Sequence, residues 1–539
     1  MGSWQQHLPI LPVVLPLLTG TVLLLISETR HRLRATIALL ATFAQLLLAL
    51  TLLAMTDAQL PAPWHGEIAV YSLGNWAAPF GIVLVADRLA AIMLTLTATL
   101  GSAALLYSLA RWERAGVHYL PLFQFLLMGL NGAFLTGDLF NLFVFFEVLL
   151  AASYGLALHG SGVARVKAGL HYIVVNLAAS LLFLVAAALI YGVTGTLNMA
   201  ELALRVQTLS PDDRTLFDIG AVLLGVVFLV KAGAWPLNFW LPTTYAAASA
   251  PVAGVFAILT KVGIYALLRF ETLLHATGSP APFGGEWLFH CGLATIAIGS
   301  LGILATQRLE RLAGFLVIVS SGTLLAAIGF RGTALTGPAL FYLVSSVLGG
   351  GAFFMVVEMV QRNRAYAADL LAISFEAFGL QDPASDTERP DETVGLPIPG
   401  AMAFLGLTFV SCALLLTGLP PLSGFVAKFS LLAAAIAEAP GGSSLPSWLF
   451  VAALLLSGLA GIISLSRLGM RVFWSGERST PRLLWVEAGP VAGLIALCAI
   501  LALAAGPATD YFRATAESLH NPAAYIHAVL PAYAGGAGE

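Results

Sequence analysis

Residues 227–242 read Val-Phe-Leu-Val-Lys-Ala-Gly-Ala-Trp-Pro-Leu-Asn-Phe-Trp-Leu-Pro. They lie inside an apolar run, 217–249, that is longer than one straight membrane span of about 20 residues needs. The run holds one ammonium, Lys231, and Pro236 follows it five residues later. Proline removes a backbone donor and clashes with the preceding turn, so the segment predicts a broken helix beside a buried lysine. A second run, 400–438, repeats the association in Thr-Gly-Leu-Pro-Pro-Leu-Ser-Gly-Phe-Val-Ala-Lys, with Pro420, Pro421 and Gly424 ahead of Lys428. Non-helical backbone at membrane depth is tolerated where it lines a hydrated cavity. Paired Gly/Pro-interrupted segments in two halves of a chain point to inverted repeats around an ion site.

The rest of the chain agrees with a membrane setting. Of 539 residues, 59% are hydrophobic and only 10% charged, and mean hydropathy is +0.90. A soluble domain carries roughly a quarter charged residues. A soluble enzyme, a disordered chain and a nucleic-acid binder are thereby excluded, and the net charge of −3 offers no basic patch to phosphates. Cys291, Cys412 and Cys498 form no CxxC pair, the histidines form no ligand-like group, and no glycine-rich phosphate loop is present, so neither metal nor cofactor is expected. The N-terminus lacks a basic segment before its apolar run and reads as a first span, not a cleaved signal.

Counting apolar runs between polar breaks gives about fourteen spans, including a third long run at 79–108. Excess Lys and Arg marks the cytoplasmic side of a membrane protein. One set of alternate loops carries 16 basic residues, among them Arg30, Arg32, Arg165, Lys167, Arg308 and Arg311, and the other set carries five. This bias places both termini outside and supports an even number of spans. The polar stretch 192–216 is expected outside. The stretch 362–399, acidic through Asp382, Asp386, Glu388, Asp391 and Glu392, is expected to be a cytoplasmic linker or a docking surface. The implied organisation is N-terminal helices over 1–110, a first repeat over 111–280, a second over 281–475 that contains the linker, and a C-terminal helix with an external tail over 476–539.

Few ionisable residues lie at membrane depth, where each costs several kcal/mol and marks a functional position. They are Asp87, Arg88, Glu147, Lys231, Lys261, Glu358 and Lys428, with Asp138 near a helix end. Glu147 sits about 13 Å into the helix that starts near Asp138, with no neutralising side chain within one turn, so its partner must come from another helix. Burial disfavours the charged carboxylate and a nearby ammonium favours it; a switchable proton site needs that competition. Lys261, thirty residues beyond Lys231, could be brought beside it by a return helix. Arginine stays charged, whereas lysine gives up its proton readily when buried, and this chain places arginine at its surface and lysine inside. Against this stands snorkelling or a static ion pair. Asp87–Arg88 reads as such a structural pair, Glu358 as a group near a solvated end, and Asp138 as a helix cap or an ion entry point.

The stretch 136–154, Thr-Gly-Asp-Leu-Phe-Asn-Leu-Phe-Val-Phe-Phe-Glu-Val-Leu-Leu-Ala-Ala-Ser-Tyr, resembles the fifth-helix motif of the D subunits of multisubunit Na+/H+ antiporters, the Mrp, Mnh or Pha systems. These are related to the antiporter-like membrane subunits of respiratory complex I. Segments 228–242, 259–269, 319–329 and 419–429 continue the resemblance in order. It implies an all-α fold of fourteen helices with two inverted five-helix repeats, each with a broken helix. It implies further that Glu147 and Lys231 form the functional pair, that Lys261 connects toward the centre, and that Lys428 belongs to the second broken helix. A lysine at that last position suits the antiporter D subunit better than the M subunit of complex I, which usually has a glutamate there. Many relatives carry histidines where Asn238 stands, near Tyr245, and at Ser345 and Ser346. The central relay would here rely on water and hydroxyls, or be weaker. The expected function is proton translocation in a heteromeric antiporter of a bacterial inner membrane. Protons entering would drive export of Na+ or another monovalent cation, with other subunits as partners. The alternative is a proton-pumping subunit of a complex I-type or membrane hydrogenase-type redox complex, whose redox step would lie in partner chains.

Overall fold

The computed structural model describes residues 3–62, 64, 67–275, 285–378, 400–438, 444–473 and 483–530, with side chains left aside at 3–5, 275 and 363–378. The acidic stretch from Asp382 to Glu392, the loop arginines Arg389, Arg478 and Arg482, and the final residues 531–539 lie outside them. In chain order the helices are α1 (Leu11–Leu25), α2 (His31–Thr56), α3 (Arg88–Ser108), α4 (Tyr119–Leu135), α5 (Leu139–Ala157), α6 (Val163–Thr194), α7 (Met199–Arg205), α8 (Pro211–Ala232), α9 (Leu241–Ala247) and α10 (Ala250–His275). They continue as α11 (Gly285–Ala305), α12 (Leu309–Gly329), α13 (Thr333–Phe378), α14 (Gly400–Thr417), α15 (Ser423–Ala437), α16 (Leu445–Phe473), α17 (Trp485–Leu503), α18 (Ala505–His520) and α19 (Ala523–Val529).

Thirteen helices among the described residues are long and apolar enough to cross a membrane. With the 17-residue α4 they account for the fourteen runs counted along the sequence. The chain is a nearly all-helical, multi-pass membrane protein. In a bilayer core the backbone must satisfy its own hydrogen bonds, and helices do so within one segment. The long run at 79–108 is not one long helix: its first part holds strand β2 (Val83–Ala86), which pairs antiparallel with β1 (Ala69–Ser72) upstream, before α3 begins. The C-terminal stretch differs too: it folds into α18 and α19, and α18 packs on α13. The expected linker begins late, because α13 continues as helix to Phe378.

Helix α10 is the hub. Its membrane-crossing stretch is buried along its whole length, and it packs against α3, α8, α12 and α13. Helices α2, α6 and α17 expose leucines and valines to the surroundings. Polar side chains inside the bundle find partners across helices, as expected where lipid offers none. Gln124 on α4 bonds Gln45 and Thr42 on α2, at 3.1 and 2.9 Å, and Asn131 bonds the Pro12 carbonyl at 2.8 Å.

Two interruptions organise the interior. Helix α8 is capped by Ser210 ahead of Pro211 and ends at Gly233, whose φ of 69° only glycine adopts without strain. Residues 234–240, including Pro236, then cross to α9 without regular helix. Helix α14 ends in the same way at Gly418, φ 80°, and Pro420 and Pro421 lie in the short connection to α15. The prolines that mark both breaks in the sequence therefore stand after a helix end and not inside a bent helix.

Candidate functional site

Lys231 stands in the last turn of α8, where the helix dipole favours a cation. Its ammonium lies 5.6 Å from the centre of the Phe146 ring, on α5, and makes no hydrogen bond among the described residues. A cavity of about 20 Å³ adjoins it, walled by Tyr172, Asn176, Trp240, Leu259 and Val262. The Trp240 indole N–H is likewise without an acceptor there. Both are buried donors without a described acceptor, beside a small and mainly apolar space. Glu147, the residue after Phe146, is half-buried and accepts a hydrogen bond from Ser180 on α6. The carboxylate lies within electrostatic reach of Lys231 but does not form an ion pair with it. Its described partner from another helix is a hydroxyl, not the neutralising side chain that was expected.

Gly263 lets α10 approach α8: a Cβ there would stand 2.5 Å from the Phe228 carbonyl oxygen. The approach does not bring Lys231 and Lys261 to one place. Leu259 and Val262 wall the Lys231 cavity, whereas Lys261 turns to the other side of α10, where its ammonium donates to Ser321 on α12 at 3.3 Å. There it lines a second cavity of about 30 Å³, room for on the order of two waters. Ser320, Tyr342, Ser345, Ser346 and Lys428 line the same space.

The break in α14–α15 makes the far wall. Lys428 donates to the Thr417 carbonyl at 2.9 Å, a helix-end acceptor that the break leaves without an intrahelical donor. Gly424 is needed because a Cβ there would run into the Leu415 carbonyl oxygen. Two hydroxyl pairs lie at the same cavity: Ser320 donates to Ser346 at 3.0 Å, and Ser345 and Ser423 share a hydrogen bond of 2.8 Å. A serine cluster thus surrounds one small cavity. Such an arrangement can pass a proton between a lysine and water, with hydroxyls that both donate and accept.

The other charges have structural partners. Asp87 does not pair with its neighbour Arg88. It caps α3 through the Ala90 amide and accepts two hydrogen bonds, 2.6 and 2.8 Å, from Arg269 on α10. Arg88 turns to Asp57 and Glu67 at 3.2 and 3.0 Å. Adjacent residues in extended-to-helical backbone point apart, so adjacency misleads. Glu358 accepts from the Trp112 indole at 3.0 Å and from the Ala250 amide at the start of α10, and Arg362 follows at 4.0 Å. Arg362 binds the fully buried Glu487 through two bonds of 2.6 Å. Asp138 caps α5 by accepting from the Asn141 amide at 2.9 Å; burial pushes its carboxyl up, against that backbone donor. Sequence reasoning missed Ser180, Ser321 and Ser423, since a serine in an apolar helix looks like packing until the facing helix is known. Among the described residues no group of acidic, histidine and cysteine side chains has the grouping of a metal site.

Residues 136–460 match the family described as "NADH:quinone oxidoreductase/Mrp antiporter, TM". A protein of Rhizobium meliloti, named as the D subunit of a probable K(+)/H(+) antiporter, is 53% identical, over 99% of both chains. The protein of Alkalihalophilus pseudofirmus named as the D subunit of an Na(+)/H(+) antiporter is 34% identical, over 98% of this chain and all of that one. Among solved structures, a chain of the Mrp complex from Dietzia sp. DQ12-45-1b superposes with a TM-score of 0.80 at 26% identity, covering 98% of this chain and all of that one.

Proposed function

Because the chain belongs to the NADH:quinone oxidoreductase/Mrp antiporter family of membrane subunits, we propose that it is the proton-translocating D subunit of a multisubunit monovalent cation/H+ antiporter. Protons pass between Glu147, Lys231, Lys261 and Lys428, helped by Ser345 and Ser346, and the gradient they run down drives cation export. The observation that carries this is the shared cavity: Lys261 and Lys428 come from opposite halves of the chain, yet both face one polar space lined by serines. A static structural lysine would be expected to carry a carboxylate partner, and neither ammonium has one within ion-pair distance among the described residues. Lysine can give up its proton in such a role, whereas arginine in the same place would stay charged.

The two breaks fit repeats over 111–280 and 281–475, with 1–110 and 476–539 outside them. The loop charge bias fits external termini in a bacterial inner membrane. Relatives whose names specify K+ and Na+ both cover the whole chain, and the higher identity to the K+/H+ relative favours K+ as a transported cation. The family description also includes NADH:quinone oxidoreductase. Full-length identity of 53% to an antiporter protein favours the antiporter over a redox complex.

The test is antiport by the complete complex in everted vesicles, measured cation by cation. Glu147→Gln and Lys231→Ala are each expected to abolish it while the complex still assembles. Unchanged antiport in both variants overturns the proposal.

A further inference from the structure

Away from the lysine path, the start of α6, the end of α9 and the start of α12 enclose an open cleft of about 640 Å³. Its wall carries Arg165, Lys167, His171, Arg308 and Arg311, and no carboxylate lines it. Arg165 is anchored from behind, donating to the Ala247 carbonyl at 2.8 Å and to the His159 carbonyl at 2.5 Å, with its guanidinium over the Trp112 ring. Arg308 is shared with Glu310 at 3.6 Å. Lys167 and Arg311 are exposed and form no ion pair among the described residues. Two free cations therefore converge on a cleft whose floor is fixed by a third.

What adjoins the cleft identifies its occupant. The face of α6 that leaves it carries Val163, Val166, Leu170 and Val174, all exposed, and near the α11 end Leu301 and Leu304 are exposed as well. In a helix that crosses a bilayer, this is the surface that acyl chains cover. A cleft that carries cations in its wall and is continuous with an apolar, outward helix face has the two-part chemistry of a phospholipid. A basic pocket between membrane helices favours an anionic headgroup. An acidic protein partner would satisfy the cations but would leave the apolar α6 face without a reason to be continuous with them.

We propose that this cleft binds the phosphate headgroup of an anionic phospholipid, with Lys167 and Arg311 as the phosphate-contacting cations and α6 as the bed for its chains. Near an anionic surface each basic residue contributes about 1 kcal/mol, so losing both cations should weaken the lipid roughly 30-fold.

The experiment uses the full chain within its purified complex. Retained phosphatidylglycerol or cardiolipin is titrated in by native mass spectrometry from phosphatidylcholine nanodiscs. Lys167→Gln with Arg311→Gln is expected to weaken retention roughly 30-fold, and Lys167→Arg with Arg311→Lys to restore it. Arg30→Gln with Arg32→Gln, at the exposed start of α2, should leave it unchanged. Equal retention in the wild type and the Gln pair overturns the proposal, as does an equal loss in the Arg30/Arg32 pair, which would mean diffuse surface attraction. Displacement by millimolar inorganic phosphate alone, without chain-bearing lipid, would assign a free-phosphate site and also overturns it. Monodisperse elution and unchanged antiport in the Gln pair separate this result from misfolding and from failure of the antiporter reading.

Discussion

At the scale of a residue, a buried charge is defined by what it faces. Glu147 faces Ser180, and the three deep lysines face a ring, a hydroxyl and a helix-end carbonyl. None of these partners is a fixed opposite charge. Ser180 is then a positioning residue for Glu147. Losing a hydrogen bond to a charged group costs about 1.5 kcal/mol, roughly tenfold in an equilibrium. Ser180→Ala is therefore expected to lower antiport about tenfold without reducing the amount of assembled complex, and Ser180→Thr to recover most of it. A purely structural role for Ser180 would instead lower assembly and leave antiport per complex unchanged. Asp87 is the opposite case. Its bidentate bond with Arg269 is buried and fully formed, and removing one partner of such a pair costs about 3–5 kcal/mol. Asp87→Asn should lower the unfolding temperature of the detergent-solubilised chain well beyond the effect of Arg88→Gln, whose partners lie nearer the surface.

At the scale of an element, helix ends do more than helix middles. Both lysines beside breaks depend on a helix that stops, α8 at Gly233 and α14 at Gly418. Glycine and proline announce such stops, which is why both interruptions are legible in the sequence alone. Helix facing is not legible there. The apolar helices have nearly uniform hydrophobicity around their circumference, because lipid and core are alike apolar, so periodicity does not say which side of α10 meets which neighbour. The return-helix argument accordingly puts Lys261 beside Lys231, and it turns instead toward Lys428. The hairpin at 69–86 and the helices after residue 505 escape for the same kind of reason: short apolar strands merge into a neighbouring run, and an amphipathic helix in a tail shows no span. Asp138 belongs to this scale as the cap of α5. Asp138→Asn keeps a capping oxygen and should leave stability nearly unchanged, whereas Asp138→Ala should cost about 1 kcal/mol. Because burial raises the Asp138 carboxyl in the folded chain, its ionised form is a cost to folding. The sign follows: relative to Asp138→Asn, the wild type gains stability as pH falls through the folded value, and loses it as pH rises. Thermal unfolding of the two chains from about pH 7 down to about pH 4, the ordinary aspartate value, checks this; a gap independent of pH over that range would mean that the carboxyl titrates alike in both states.

For the whole molecule, the question is how two halves with one lysine break each are joined. They meet in a cavity of about 30 Å³ between α10, α12, α13 and α15. Space of that size holds on the order of two waters and is too small to admit a hydrated cation. A proton can cross there by transfer between hydroxyls and water, whereas an alkali cation would need several oxygen ligands at once. On the proposed proton path, the cation then moves elsewhere in the complex, through another route in this chain or in a partner protein. The two roles of the cavity, hydroxyl donor and room for water, are separable by size. Ser346→Ala removes the hydroxyl that Ser320 bonds, leaves room for another water, and should lower antiport only severalfold. Ser346→Val puts two methyl groups in its place and should nearly abolish antiport, with the complex still assembled and the pH-driven response of vesicles without added cation equally lost. If Ser346→Val transports as well as Ser346→Ala, then protons do not pass between the halves through this space, and each half must exchange its protons with the membrane surfaces independently.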